Sequence, residues 1–463
     1  MESSYVRTAQ KNLARSKKRT DTAVELPDQS ILVKNADIWN GKGFTQGSIL
    51  IKDGRIGRVA RRITEDGDET IDASGLKALP GLVDVHVHLR DMELSYEEDF
   101  ATGTAAAAAG GFTTVLDMPN TIPPTDSASR LIEKQKIAAQ KVYVNVGFHA
   151  AAISDSHNIE ALAGAGAFSL KLYLPKPISP FDIENDRMIE KMMRTASRVG
   201  ISVTVHAEDL SSSENLMPKE DFGEAVEARS PDFETRAVDR LLRIQKKARC
   251  TVHYCHLTLR SSLMKINDST RSTSEVTPHH LLLSKKLLSS LGWRAWMVPP
   301  LRTEETRRSL LKSTLTGLAS VIASDHAPHT IKEKDQSASK SPPGVPGLET
   351  TLPLMLTLVN RQQLSFSSLA KLLSENPARI FGLKSKAMLR RGADGDVVLI
   401  DLNKESKIDS SKFFSKAKYS PFDGFKTKGA VHSTIVGGRV VYREGEVVAR
   451  EGSGSVLKRA FSS

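Results

Sequence analysis

Both ends of the chain carry short runs of apolar and β-branched residues, separated by turn-forming glycine and aspartate residues. Runs of this kind are typical of β-strands. They cover residues 31–33, 48–51 and 56–59 near the N-terminus, and 396–400, 433–436 and 439–442 near the C-terminus. Because the same pattern returns at both ends, we expect one small composite β-sandwich domain made of residues 29–79 and 385–455.

The middle of the chain, residues 80–384, alternates short apolar runs with helical stretches. The apolar runs at 82–85, 114–116 and 142–146 precede helical patterns at 101–109, 127–140 and 187–199. Strand–helix alternation over about 300 residues predicts an α/β fold, in which parallel strands close as a (β/α)8 TIM-like barrel. Residues 332–343 are rich in Lys, Ser and Pro, and we expect them to form a mobile loop.

A length of 463 residues fits a barrel-sized domain with a smaller one beside it. The two cysteines, Cys250 and Cys255, provide no disulfide framework, so we expect a reducing, cytoplasmic setting. No stretch approaches 18 consecutive apolar residues, so we expect no membrane span.

The net charge of +11 would suit a nucleic acid or an anionic substrate. Much of the excess lies in the first twenty residues, which have little apolar periodicity, so we expect residues 1–28 to be a disordered basic tail. The aromatic and basic residues are not interleaved as in single-strand binders, so we expect no nucleic-acid partner. The basic residues of the tail are Lys11, Arg15, Lys17, Lys18 and Arg19.

The sequence His86-Val87-His88 follows the apolar run 82–85. Alternate residues of a strand face the same side, so both imidazoles would project together. They would do so at the C-terminal end of a barrel strand, where barrel active sites lie. Two such nitrogens can hold one divalent metal. The alternative is a chance pair of histidines on a strand.

Four further ionisable residues fall in or at the end of predicted barrel strands. Lys171 lies in an otherwise apolar run, where a buried ammonium is costly unless it is neutralised or modified. His206, His256 and Asp325 each end an apolar run. Any one of them could be a solvated or satisfied core residue, but this number of placements on one barrel indicates a metal site.

Several longer motifs place the chain near a known family. The order of HxH, Lys, His, His and Asp resembles the amidohydrolase superfamily, and within it the dihydroorotases. The resemblance covers about residues 30–455 and is closest to the branch containing the dihydroorotase domain of the animal multifunctional pyrimidine enzyme. The motifs that carry it are residues 84–90, 118–121, 277–281, 324–330 and 346–350.

The resemblance implies two zinc ions that activate a water molecule. His86, His88 and Asp325 would bind one ion, and His206 and His256 the other. Lys171, carboxylated by carbon dioxide, would bridge the two ions, and Asp325 would be the catalytic acid and base. A third zinc site is left open, and its alternative is that Cys255 is a buried apolar residue and Glu275 a solvated charge. Its candidate ligands are Cys255, Glu275 and His329.

The resemblance also implies a substrate with a carboxylate, bound by Arg90, Asn120 and Arg302. The expected reaction interconverts N-carbamoyl-L-aspartate and L-dihydroorotate in pyrimidine biosynthesis. The alternatives are another cyclic amidohydrolase, such as an allantoinase or a dihydropyrimidinase, and a non-catalytic scaffold with this fold. We expect a homodimer, which could associate with aspartate transcarbamoylase. The chain departs from many relatives at residues 91–93, which contain no Pro or Gly, and at residues 175–177, so no lid is assigned.

Overall fold

The computed structural model describes residues 30–211 and 219–459; the predicted tail, residues 1–28, lies outside them. Five strands precede the barrel. They follow the apolar runs of the sequence, because β-branched and apolar residues pack well on a pleated, half-buried surface. These strands are β1 (Ile31–Trp39), β2 (Phe44–Lys52), β3 (Arg55–Ala60), β4 (Glu69–Asp72) and β5 (Lys77–Pro80).

The barrel strands pair in parallel in two arcs, one of β6 to β8 and one of β9 to β14. Only His149 separates β8 from β9 along the chain, so together they serve as one barrel strand. The barrel closes where Val87 forms a parallel bridge to His326. The strands are β6 (Leu82–Val87), β7 (Phe112–Asp117), β8 (Asn145–Phe148), β9 (Ala150–Ala151), β10 (Ser169–Tyr173), β11 (Ser202–His206), β12 (Val252–Tyr254), β13 (Ser272–Val276) and β14 (Val321–Ile322).

Helices alternate with the barrel strands, and several begin at a capping side chain. The Asp99 carboxylate, for example, accepts a hydrogen bond from Thr102 N at the start of α1. Shorter turns are the 3-10 segments Met92–Leu94, Lys285–Leu287, Gly292–Ala295 and Ser410–Lys412, and the π segment Lys371–Glu375. The α-helices are α1 (Phe100–Ala109), α2 (Ala128–Lys141), α3 (Ser156–Gly164), α4 (Asp186–Arg198), α5 (Phe222–Glu227), α6 (Pro231–Ala248), α7 (Arg260–Asn267), α8 (Pro278–Leu282), α9 (Leu288–Leu291), α10 (Glu304–Leu315), α11 (Ile331–Lys334), α12 (Leu348–Asn360), α13 (Phe366–Ala370) and α14 (Asn376–Ile380).

The strands after the barrel return to the N-terminal strands and complete one continuous sheet. They are β15 (Val397–Lys407), β16 (Lys426–Val436), β17 (Arg439–Arg443) and β18 (Glu446–Val447). The strand order is β18-β17-β16-β15-β5-β1-β2-β3, with β4 paired to β1. The antiparallel pairing of β5 with β15 therefore joins the two ends of the chain.

The two faces of this sheet have different roles. Leu79 and its partner Val398 pack into the large core that includes the barrel helices. The next pair, Ala78 and Leu399, packs into a separate core with residues of β1 and β2. This alternation follows from the two-residue period of a strand. The predicted fold class, a barrel with a β-rich unit built from both ends, is confirmed.

Two local predictions differ from the structure. Residues 142–144, predicted as strand, precede β8, and Val142 N donates to Ala138 O as the cap of α2. The predicted loop 332–343 begins inside α11, and Lys334 is buried there. Its ammonium donates to Trp296 O and Pro342 O, which explains how a lysine in a polar segment comes to lie inside. Within the described residues, no helix combines the length and apolar character that a membrane span requires.

Candidate active site

The two histidines of the HxH motif lie at the mouth of the barrel, facing Asp325. His86 Nε2 is 3.3 Å and His88 Nε2 is 3.5 Å from Asp325 Oδ1. The strand β6 ends at Val87, and the hydrogen bond from His88 N to His326 O continues its path to the segment that carries Asp325. Asp325 has a φ of 47°, an unusual conformation for a residue other than glycine and one often found at functional sites.

The other predicted ligands close the same cavity. Lys171 lies on β10 and His206 ends β11, while His256 follows β12 by two residues. The His256 ring centroid is 4.4 Å from that of His206 and 5.2 Å from that of His86. All six predicted metal ligands line one cavity of about 480 Å³. The carboxyl ends of parallel strands meet at one end of a barrel, which explains this convergence.

The donor set fits a divalent metal. The side chains of His86, His256 and Asp325 each offer a donor atom, and these atoms lie within 4.8 Å of one another. Burial lowers the pKa values of His88 and His256 well below the ordinary histidine value, which favours the neutral imidazole that binds metals. His256 Nδ1 is buried and has no hydrogen-bond partner in the described part of the chain.

Two buried carboxylates and the partly buried Asn120 orient the histidine rings. Glu275 Oε1 is 2.7 Å from His86 Nδ1, and Glu208 Oε2 is 2.7 Å from His206 Nε2. Asn120 Oδ1 lies 2.7 Å from His88 Nδ1. Such contacts fix which ring nitrogen carries the proton and which faces the metal. The expected alternative, that Glu275 is a solvated charge, is wrong because its side chain is fully buried.

Arg90 lines the cavity, as the resemblance implies, although strand alternation does not place it there. Because β6 ends at Val87, the two-residue period does not extend to Arg90. The backbone instead turns with positive φ at Arg90, Asp91 and Met92. Arg90 Nε donates to Pro328 O at 3.3 Å, and the side chain faces the cavity from this turn.

Arg302 was predicted to contact substrate, but it does not line this cavity. Its Nε donates to Thr258 Oγ1 at 3.0 Å, and its Nη1 donates to Arg229 O at 2.5 Å. The negative charge of Glu208 also interacts with the Arg302 guanidinium. Arg302 is therefore not positioned to contact a substrate in this cavity.

The structure does not bring the three candidate ligands of a third zinc site together. Cys255 and Glu275 lie within ligand distance of His86. In the described residues the donor atoms of His329 lie instead near those of Glu97 and Glu333. The set of Cys255, Glu275 and His329 is therefore not supported as a single site.

Comparison with known proteins agrees with this geometry. The sequence model of the Amidohydrolase family matches residues 78–441. The chain belongs to the amidohydrolase family. This is a family of metal-dependent hydrolases, in agreement with the cluster of donor atoms in the cavity.

The relatives found by sequence and the solved structure found by fold carry different names. A protein of Methanothermobacter thermautotrophicus named dihydroorotase is 39% identical over 89% of this chain and 94% of its own length. One of Bacillus cytotoxicus with the same name is 35% identical over 89% of this chain and 98% of its own length. Among solved structures, an L-hydantoinase (dihydropyrimidinase) from Arthrobacter aurescens has a TM-score of 0.88 at 31% identity. It covers 93% of this chain and 100% of its own.

Three buried residues of this amidohydrolase site were not predicted from the sequence. Glu208 follows His206 by two residues, a spacing that could have indicated a paired carboxylate. His279 lines the cavity with its Nε2 unpartnered within the described residues, and it lies in a motif that was recognised but given no role. Glu97, seven residues after Arg90, has no recognisable spacing, and only the folded loop brings it to Arg90.

Replacing Glu208 with alanine is expected to weaken metal binding about 10- to 100-fold, the usual effect of removing a carboxylate that orients a metal-binding histidine. Burial alone would raise the pKa of Glu208, but the charge of Arg229 and the hydrogen bond from His206 lower it to about 2, so an ionised partner is lost. Metal affinity is measured by competition with a chelator. Glu305→Ala, at an exposed glutamate, is the control and should bind metal as the wild type does.

Proposed function

We propose that this amidohydrolase is a dihydroorotase that reversibly interconverts N-carbamoyl-L-aspartate and L-dihydroorotate. The observation that carries the proposal is the position of Arg90, whose guanidinium shares a cavity with the six candidate metal ligands. An arginine fork is suited to a carboxylate, which dihydroorotate has. The two relatives named dihydroorotase, 39% and 35% identical, support the same substrate.

The proposed metal centre uses the six clustered residues. His86, His88 and Asp325 would hold one zinc ion, and His206 and His256 the second. When bound, zinc supplies a Lewis acid and lowers the pKa of water. A carboxylated Lys171 would lie between the two groups; in the described residues its uncarboxylated Nζ donates only to Cys255 Sγ, at 3.2 Å. Carboxylation would replace this buried ammonium with an anion, which is a suitable ligand for a metal cation.

Other steps of the proposed reaction, proton transfer and substrate binding, depend on side chains of the chain. Asp325 Oδ1 lies beside His86 and His88 and would take a proton from the attacking water and deliver it to the leaving ring nitrogen. Burial raises the pKa of Asp325 above its ordinary value. Arg90 binds the ring carboxylate. Asn120 lines the same cavity, where it contacts the substrate, and its Oδ1 also holds the ring of His88.

A dihydropyrimidinase is the weaker alternative. The structural likeness to the L-hydantoinase favours it, because the fold is shared. A neutral ring, however, has no carboxylate for Arg90 to bind, whereas the carboxylate of dihydroorotate can pair with this buried arginine. A homodimer, an association with aspartate transcarbamoylase, a cytoplasmic location and a place near the animal branch stay predictions.

Arg90→Gln is expected to weaken the use of dihydroorotate by roughly 2–5 kcal/mol, the range for removing one partner of a buried charge pair. The loss should appear in kcat/KM for dihydroorotate, and the zinc content should stay at the wild-type level. Arg130→Gln changes a partly exposed arginine that contacts Asp126, so it controls for the loss of one positive charge. An unchanged kcat/KM in the Arg90 variant would contradict the proposed substrate.

A further inference from the structure

Glu97 is a buried carboxylate next to the cavity that the proposed mechanism does not use. Its Oε2 lies 3.1 Å from Arg90 Nε and 3.0 Å from His329 Nδ1. Arg90 and His329 both line the cavity, whereas Glu97 lies behind them. The His329 ring is in turn linked to Arg90, since Arg90 Nη2 is 3.0 Å from His329 Nε2. The three side chains form one connected group, here called the Arg90 triad.

The charges of the Arg90 triad cancel. Burial alone would raise the pKa of Glu97, but His329 and the charge of Arg90 hold it below its ordinary value, so Glu97 is ionised. Burial lowers the pKa of His329, so its ring is neutral. One guanidinium and one carboxylate remain. The group that would read an anionic substrate therefore has no net charge of its own.

The contact with Glu97 also occupies part of the guanidinium. Arginine binds a carboxylate most strongly with two parallel N–H groups. In the triad the Nε edge faces Glu97 and Pro328 O, and Nη2 also faces His329. A substrate carboxylate can approach the remaining N–H groups, but its attraction to Arg90 is reduced by a second carboxylate at 3.1 Å.

We propose that Glu97 is a specificity-determining residue that weakens the hold of Arg90 on a substrate carboxylate and so lowers the preference of the site for anionic over neutral rings. This inference rests on the proposed function, because it assumes that Arg90 faces the ring carboxylate. A substitution of Glu97 would then change the selectivity for anionic rings, although Glu97 itself does not contact the substrate. A residue with a merely structural role would act in the opposite direction, since its loss would displace Arg90 and weaken binding.

The test is Glu97→Gln, which keeps the shape of the side chain and removes its charge. We expect the KM for dihydroorotate and the inhibition constant of orotate, a flat ring with the same carboxylate, to fall about tenfold. The inhibition constant of the neutral methyl ester of orotate should not fall. We expect kcat to change by less than about twofold, because binding that is equal in the ground and transition states alters KM alone.

Glu93→Gln is the matched control. Glu93 is exposed on the same loop, and the same substitution removes one negative charge there without touching Arg90. It should leave all three constants at their wild-type values. A KM that rises or stays unchanged in Glu97→Gln overturns the inference, as does an equal fall for the anion and the ester.

The failure of this inference can be distinguished from the failure of the proposed function. If the wild type does not turn over dihydroorotate, the proposed function is wrong, and the inference falls with it. If the wild type is active but Glu97→Gln binds the anion no more tightly, only the role of Glu97 is wrong. Salt dependence gives a second readout, because a site with one more positive charge should lose more affinity for orotate as salt increases.

Discussion

Replacing Lys171 with alanine is expected to lower turnover by at least about 1,000-fold, because the metals contribute several kcal/mol of transition-state stabilisation. The variant should also lose at least one of the two proposed zinc ions. Lys171 is buried on β10 and has no carboxylate partner in the described residues, so its presence is costly unless it is modified. Turnover and metal content per chain, measured on the same preparation, give two independent readouts.

Lys176→Ala is the control for this experiment. Lys176 lines the same cavity but is exposed, and it is outside the proposed ligand set. Its replacement should leave the zinc content unchanged. If metal content and turnover both survive in Lys171→Ala, the proposed bridging role is wrong. Mass spectrometry of the intact wild type under non-acidic conditions should show the added mass of carbon dioxide, and this addition should be absent from the alanine variant.

Asp325→Asn is expected to reduce turnover by about 100- to 10,000-fold while leaving the fold intact. That range is the usual contribution of a general acid or base, and the loss of a metal ligand would add to it. Asparagine keeps the size of the side chain but cannot take the proton that Asp325 would accept. The comparison needs kcat at saturating substrate, together with circular dichroism to establish that the variant is folded.

Asp335→Asn provides the matched change, because Asp335 is an exposed aspartate ten residues further along the chain. It should retain wild-type kcat. Near-normal turnover in Asp325→Asn would remove Asp325 from the proposed chemistry, whatever the metal content of that variant.

The fold could be predicted because apolar strand patterns and helical patterns alternate repeatedly along the chain, and this alternation is typical of a barrel. The apolar run 82–85 continues as β6, and the runs at both ends become strands of one sheet. Boundaries were less predictable where capping competes with strand formation. Val142 is an example, since its amide completes α2 before β8 can begin.

The candidate ligands could be predicted because each ends or follows a barrel strand, and the barrel brings such ends together. Residues placed by turns could not be located in this way. Arg90 lies at the start of a turn with three successive positive φ angles, which no periodicity predicts. Arg302 also follows an apolar run, but its Nε and Nη1 donate to Thr258 and Arg229, and it does not line the cavity.

Buried partners were the least predictable part of the site. Glu97 and Glu275 are charged residues that a sequence pattern places on the surface. Each is buried because the fold supplies histidine or arginine partners that are distant in sequence, such as His86, which is 189 residues from Glu275. The sequence alone therefore does not show that such a charged residue is buried, because its partners are known only from the fold.

The proposed enzyme opens and closes a carboxylated ring with the help of metal bound in this cavity. The most direct measurement is kcat/KM of the zinc-loaded wild type in both directions, with dihydroorotate and N-carbamoyl-aspartate, beside dihydrouracil and allantoin. We expect turnover of both carboxylated compounds, its loss on treatment with a chelator, and its return with zinc. A clear preference for dihydrouracil or allantoin, or turnover that is unaffected by complete removal of the metal, would contradict the account.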